Sequence, residues 1–205
     1  MRLLQRGQEY SIRVGGYELM NSRVHGSEDA LASLVCERLD CGRVRVLIGG
    51  LGMGFTLLAV LKSVGAGSAV VVSELVPEVV EWHRGPLSAV SAGALDDPRV
   101  TVRTEDVAKV LRAERNGFDA VLLDVDNGPV GLTAKKNDWL YSPAGLKASY
   151  AALRPGGILA VWSAGPDAAF TRRLQHAGFK TEEVRVRGRE GKRGARYLIW
   201  LARRS

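Results

Sequence analysis

The sequence contains no long hydrophobic run and no apolar leader at its start. None of its 205 residues belong to a stretch approaching the roughly 20 apolar residues that span a bilayer. The first residues, Met1 to Arg6, lack the apolar core of a secretory signal. We therefore expect a cytoplasmic protein with no membrane partner.

Cysteine and histidine are scarce. The two cysteines, Cys36 and Cys41, fall on or beside one predicted helix, without companions at metal-ligand spacing. We expect both to be free thiols in a reducing compartment. The three histidines show no spacing with cysteine or aspartate that suggests a metal, so no metal is expected.

Charge is unevenly distributed in a chain of otherwise ordinary globular composition, with 46% hydrophobic and 25% charged residues. The formal net charge is +7, and much of the excess lies in residues 185–196 and 203–204. One interpretation is a surface for nucleic acid or another acidic ligand. The other is a solvated hairpin turn, which the absence of interleaved aromatic residues favours.

Four glycines mark the most informative segment. A short apolar run, Val44 to Ile48, is followed by Gly49, Gly50, Gly52 and Gly54, and an apolar pattern long enough for a helix begins at Phe55. This order predicts a buried strand, a tight turn with positive φ, and a helix N-terminus facing a pocket. A second buried strand, 69–74, ends in Glu74, where a ribose diol would be held. Together these features predict a nucleoside-cofactor site.

The glycine spacing distinguishes between cofactor classes. A dinucleotide fingerprint requires G-x-G-x-x-G, but Phe55 occupies the position of the third glycine. The G-x-G-x-G spacing suits a smaller ligand without a pyrophosphate, so we expect S-adenosylmethionine or a close analogue. A dinucleotide and the absence of any cofactor are the alternatives.

Further acidic residues follow later strands. Glu105 and Asp106 come after a strand at 99–103, and Asp124 ends a strand at 118–124. Because the carboxyl ends of parallel strands form one crevice, these acids should converge, with Glu105 and Asp106 near adenine and Asp124 near the cationic tail. Alternatively, Glu105 and Asp106 are first-turn acids that stabilise a helix dipole.

The order of elements predicts an α/β fold. It indicates a doubly wound, mostly parallel sheet of seven strands that ends in an antiparallel hairpin formed by residues 180–187 and 196–203. A short β-hairpin precedes it, with strands at 8–14 and 17–20. We assign residues 1–25 to this extension and residues 26–205 to a Rossmann-like binding domain.

Several motifs, in order, resemble the spermidine synthase family within the class I S-adenosylmethionine-dependent methyltransferase superfamily. They are Val46 to Gly54, Ser73 to Glu81, Asp97 to Asp106, and Phe118 to Asp124. The resemblance implies S-adenosylmethionine or its decarboxylated form as cofactor. It also implies that Leu75, beside Glu74, contacts the nucleoside, and that Asp124 is the catalytic base.

The chain departs from that family at several positions. The aspartate of the family's glycine motif falls on Gly52 or Met53, so its carboxylate is missing. The second acid of the gate loop is displaced to Asp126 or lost at Asn127. The family's Tyr-His pair has no counterpart on the first helix. Lysines 135 and 136 would repel a polycationic substrate.

These departures favour methyl transfer to an unidentified small-molecule acceptor. Aminopropyl transfer to a polyamine and a non-catalytic nucleoside-binding role are the alternatives. Asp126, Trp139 and Tyr141 are candidate substrate contacts, although the two aromatic residues equally fit anchors of a loop into the core. A homodimer remains an option.

Overall fold

A computed structural model describes residues 1–125, 128–130, 137–188 and 195–205. These residues form two sheets and six α-helices. The first sheet is antiparallel, with the strand order β1 (Arg2–Arg6), β2 (Glu9–Val14), β3 (Tyr17–Asn21).

The larger sheet has seven strands, and helices separate its first five. In chain order the elements are α1 (Gly26–Cys36), β4 (Arg45–Gly49), α2 (Phe55–Ser63), β5 (Ala69–Ser73), α3 (Pro77–Arg84), β6 (Val100–Arg103), α4 (Val107–Ala113), β7 (Phe118–Leu123), α5 (Pro143–Ala152), β8 (Leu153–Ser163), α6 (Ala168–His176), β9 (Phe179–Arg187) and β10 (Arg196–Arg204).

The strand order of this sheet is β6-β5-β4-β7-β8-β10-β9. Strands β4 to β8 pair in parallel, and β10 pairs antiparallel with both β8 and β9. The predicted α/β fold and its antiparallel terminal hairpin are thereby confirmed. Residues 189–194, which form most of the basic turn of that hairpin, lie outside the described residues.

Alternate residues of the central strands supply two apolar cores, one on each face of the sheet. On β4, Val46 and Ile48 pack with α1 and α2, whereas Leu47 belongs to the core on the opposite face, which also contains Trp200 of β10. This alternation follows from the two-residue period of a strand, and both faces are apolar because helices cover both.

The N-terminal extension differs from the predicted two-stranded hairpin. Arg2–Arg6 adds a strand, which turns into β2 through Gly7 at φ +61°. Its charged ends and only two apolar residues give it a weak strand pattern. The sheet is nevertheless completed, because β2 offers a free edge for pairing.

The expectation of free thiols is wrong. Cys36 and Cys41 form a disulfide, with their Cα atoms 5.5 Å apart. Helix α1 ends at Cys36 and the chain then turns back towards β4, which brings the second thiol to the end of the helix. No helix among the described residues is long and apolar enough to cross a membrane.

Candidate functional site

The glycine turn lies between two neighbouring strands. The amide of Gly50 donates to the carbonyl of Ser73 at 2.9 Å, and the amide of Asp124 donates to the carbonyl of Gly49 at 3.0 Å. A Cβ on Gly50, whose φ is +90°, would lie only 2.5 Å from the Asp124 carbonyl oxygen. Position 50 therefore requires glycine, both for its φ and for the close approach of the β7 main chain.

A histidine supports the second half of the turn. The carbonyl of Gly52 is 3.0 Å from Nε2 of His83, a buried residue of α3. Burial lowers the pKa of His83, against a smaller rise from this hydrogen bond. The neutral tautomer that carries its proton on Nε2 donates to Gly52. No local pattern in the sequence indicates that His83 contacts the turn.

Glu74 is fixed by main-chain donors. The residue directly follows β5 and is only 8% exposed. One carboxylate oxygen accepts from the amide of Leu51 at 2.8 Å, and the other accepts from the amide of Val76 at 2.8 Å. Each oxygen keeps a further lone pair, so the carboxylate can accept from a ligand diol without losing these bonds.

Asp124, directly after β7, has the most perturbed carboxylate of the site. Desolvation by burial, and then the nearby charge of Glu28, raise its pKa to about 7, although the Thr56 hydrogen bond opposes the rise. That bond is short, with the hydroxyl of Thr56 donating over 2.6 Å. The carboxyl group therefore exchanges its proton near neutral pH.

One cavity of about 280 Å³ joins six of the nine predicted cofactor residues. Its floor is formed at the carboxyl ends of the parallel strands, by Gly50, Gly52, Glu74, Leu75, Asp106 and Asp124. Its opposite wall is apolar and comes from the N-terminal sheet, through Ile12, Val14, Leu19 and Met20. Among the described residues that line it, every charged side chain is acidic.

The other predicted cofactor residues do not line this cavity. Gly49 is packed against Val107 and Leu123, and Gly54 lies at the N-cap of α2. Glu105 is 3.9 Å from the guanidinium of Arg103.

Asp106 caps a helix, and its contact with adenine stays a prediction. It lines the cavity, and its side chain caps α4 by accepting from the amide of Ala108 at 2.8 Å. A capping carboxylate still offers its second oxygen to a ligand.

The two candidate aromatic residues are packed into the protein rather than into the cavity. The guanidinium of Arg112 lies 3.7 Å from the ring centroid of Trp139. Tyr141 is buried, and its hydroxyl donates to the carbonyl of Val125 at 3.3 Å. Both fit loop anchors. The third candidate substrate residue, Asp126, lies outside the described residues.

A profile of the Spermine/spermidine synthase domain matches residues 29–170. The chain belongs to this family. Relatives of this spermine/spermidine synthase domain include the polyamine aminopropyltransferase of Mycobacterium tuberculosis, strain H37Rv, which is 35% identical over 137 residues, covering 65% of this chain and 25% of the relative. Polyamine aminopropyltransferase 1 of Streptomyces coelicolor is 32% identical over 162 residues, covering 75% of this chain and 30% of the relative. The chain thus matches only about a quarter to a third of the length of these relatives.

Solved structures agree on the fold of this domain. Spermidine synthase from Thermotoga maritima has a TM-score of 0.77 at 21% identity, covering 96% of this chain and 66% of that structure. A spermidine synthase in complex with the transition-state analogue AdoDATO has a TM-score of 0.79 at 23% identity, with coverage of 96% and 67%. The 1,6-didemethyltoxoflavin-N1-methyltransferase from Burkholderia thailandensis has a TM-score of 0.61 at 20% identity, with coverage of 88% and 79%. Within the described part of the chain, no group of three or more His, Cys, Asp or Glu residues could hold a metal ion.

Proposed function

We propose that this domain transfers an aminopropyl group from decarboxylated S-adenosylmethionine to an amine. The observation that carries the proposal is the charge of the cavity, whose described charged side chains are Glu74, Asp106 and Asp124. Decarboxylated S-adenosylmethionine carries two positive charges, one on sulfur and one on its amine. S-adenosylmethionine adds a carboxylate, for which this lining offers no cationic side chain; Met1, which also lines the cavity, carries only its main-chain amine. The membership in a family of polyamine aminopropyltransferases supports the same choice.

The cavity residues fit distinct parts of the donor. Glu74 would accept from the ribose hydroxyls, and Asp106, on the neighbouring strand end, would accept from the adenine amino group. Leu75 and the apolar wall of the N-terminal sheet would cover the base and exclude water from the reacting carbon.

Asp124 is the group best suited to the proton transfer. In the proposed reaction the acceptor nitrogen forms a bond to the carbon beside the sulfonium, the carbon–sulfur bond breaks, and methylthioadenosine leaves with the electron pair. The proton lost by the ammonium acceptor passes to the Asp124 carboxylate. A pKa of about 7 is close to the optimum for a general base near neutral pH.

Calorimetry and a transfer assay test the proposal. Decarboxylated S-adenosylmethionine should bind the purified protein at least about tenfold more tightly than S-adenosylmethionine. Incubation with 1,4-diaminobutane or 1,3-diaminopropane should then yield methylthioadenosine and the aminopropylated amine, measured by mass spectrometry. The Asp124→Asn variant should retain binding of methylthioadenosine, which has no charged tail, and lose about 10²–10⁴-fold in rate. Preference for S-adenosylmethionine would refute the proposal.

Methyl transfer is the second candidate, and one feature favours it. Gly52 provides no carboxylate in the glycine turn to hold the donor's amine. The products of methyl transfer would be S-adenosylhomocysteine and a methylated acceptor, which the same mass spectrometry distinguishes. If methylthioadenosine binds tightly but neither an aminopropylated nor a methylated product forms, from the diamines or from a panel of other acceptors, the non-catalytic role remains.

A further inference from the structure

Met20 occupies the space above the glycine turn. A Cβ placed on Gly52 would lie 2.8 Å from the terminal methyl carbon of Met20 and 2.9 Å from its sulfur. No other described side chain or main chain, apart from the adjacent residues, comes within 4 Å of that point. The thioether therefore contacts the turn directly, and no further heavy atom fits between them.

The contact lies on the path that the donor would take. Glu74 follows β5 and Asp124 follows β7, while the glycine turn follows β4, which lies between these two strands. Neighbouring strands are about 4.8 Å apart, so a ligand that contacts both acids has to cross the turn. The same cavity is lined by Met20, Gly52 and both acids.

Met20 is held in this position by its own sheet. It belongs to β3 and pairs with Ile12 of β2, a residue that is only 1% exposed. The N-terminal sheet thus holds the main chain of β3 in place, and the flexible side chain of Met20 extends from it to the turn. A thioether is apolar and provides no partner for a carboxylate.

We propose that Met20 is a specificity-determining residue that excludes donors bearing an α-carboxylate. This inference rests on the proposed function, since it concerns the tail of the same donor. The tail of decarboxylated S-adenosylmethionine ends in a single amine, which can reach Asp124 past the thioether. The carboxylate of S-adenosylmethionine would have to displace Met20 or lie among the acids of the cavity.

Calorimetry with three ligands and four proteins tests this role. The ligands are S-adenosylmethionine, its decarboxylated form, and methylthioadenosine, which has no charged tail. The proteins are the wild type, Met20→Val, Met20→Leu and Val14→Ala. Valine removes the sulfur and terminal methyl while keeping a residue that suits a strand. Leucine keeps most of the volume, and Val14→Ala truncates the same cavity wall away from Gly52.

Met20→Val should narrow the preference for the decarboxylated donor by about tenfold or more, through tighter binding of S-adenosylmethionine. Met20→Leu and Val14→Ala should keep the wild-type ratio of the two donor affinities. Methylthioadenosine measures any loss of binding that a change in the wall causes for all three ligands alike. An unchanged preference in Met20→Val, or an equal loss in Val14→Ala, would overturn the role of Met20 alone. A wild type without preference for the decarboxylated donor would overturn both this role and the proposed function.

Discussion

The raised pKa of Asp124 predicts that replacing it by asparagine stabilises the protein at alkaline pH. Its ordinary value is 3.8 and its value in the fold is about 7. At 1.36 kcal/mol per pH unit, the ionised carboxylate costs at most about 4 kcal/mol of folding free energy. An asparagine oxygen can still accept from the Thr56 hydroxyl, so the substitution removes the charge but keeps that bond.

The direction of the pH effect follows from proton binding. Between pH 3.8 and about 7 the folded protein binds a proton at Asp124 that the unfolded chain has lost. This residue therefore lowers wild-type stability as the pH rises through that window. The advantage of Asp124→Asn should accordingly be larger at pH 8 than at pH 5 by about 2–3 kcal/mol.

Urea denaturation of the ligand-free protein at both pH values measures this difference. The exposed Asp96 supplies a matched control, because its replacement by asparagine should alter stability little at either pH. An Asp124→Asn advantage that is the same at pH 5 and pH 8, or a variant less stable than the wild type at pH 8, would refute the assigned burial penalty. The expected result is a gain in stability together with a loss of transfer.

Three further predictions follow from the site and its support. Glu74→Gln should weaken methylthioadenosine binding by about 1.5–3 kcal/mol in calorimetry, because a charged acceptor for the ribose is lost. Gly50→Ala should cost about 3 kcal/mol or more in urea denaturation, since its Cβ would meet the Asp124 carbonyl oxygen. Gly156→Ala, which also has positive φ but has nothing within 4 Å of a Cβ, should cost only about 1–2 kcal/mol. Reduction of the Cys36–Cys41 disulfide, which closes a short loop with a sequence separation of 5, should cost about 2 kcal/mol.

A control variant or a paired variant tests each of these three predictions. Glu105→Gln is the control for Glu74, since Glu105 does not line the cavity, and equal losses in both variants would remove the ribose assignment. Similar costs for the two glycine variants would mean that φ alone, and not crowding, matters at position 50. The stability of a double cysteine-to-alanine variant should not change with reductant. If the stability of the wild type does not change either, the stabilising role of the disulfide is contradicted.

Local patterns were sufficient to predict much of the fold and part of the cavity. The apolar run before Gly49 and the helical pattern after Gly54 lie next to each other in the chain, so the strand, turn and helix can be read directly. Glu74 and Asp124 could be predicted as neighbours of the turn because parallel strands share one carboxyl edge.

The remaining features depend on contacts between distant segments. Met20 reaches Gly52 across the cavity, and His83 is 31 positions from the carbonyl that it contacts. Neither residue has a periodicity that indicates such a partner. The disulfide escapes prediction for a different reason: the expectation of free thiols rests on a reducing compartment, whereas the end of α1 at Cys36 turns the chain so that Cys41 lies beside it.

The position of β10 has a consequence for how the sheet is assembled. This strand follows β9 in the chain but lies between β8 and β9, with the fully buried Trp200 at its centre. During synthesis β9 leaves the ribosome before β10, which is the only described strand with which β9 pairs. The parallel half of the sheet can form as it is synthesised, but its antiparallel edge can form only after β10 is made, because β10 joins β9 to β8. Until then β8 exposes an unpaired, apolar edge, and nascent or truncated chains should be most prone to aggregate there.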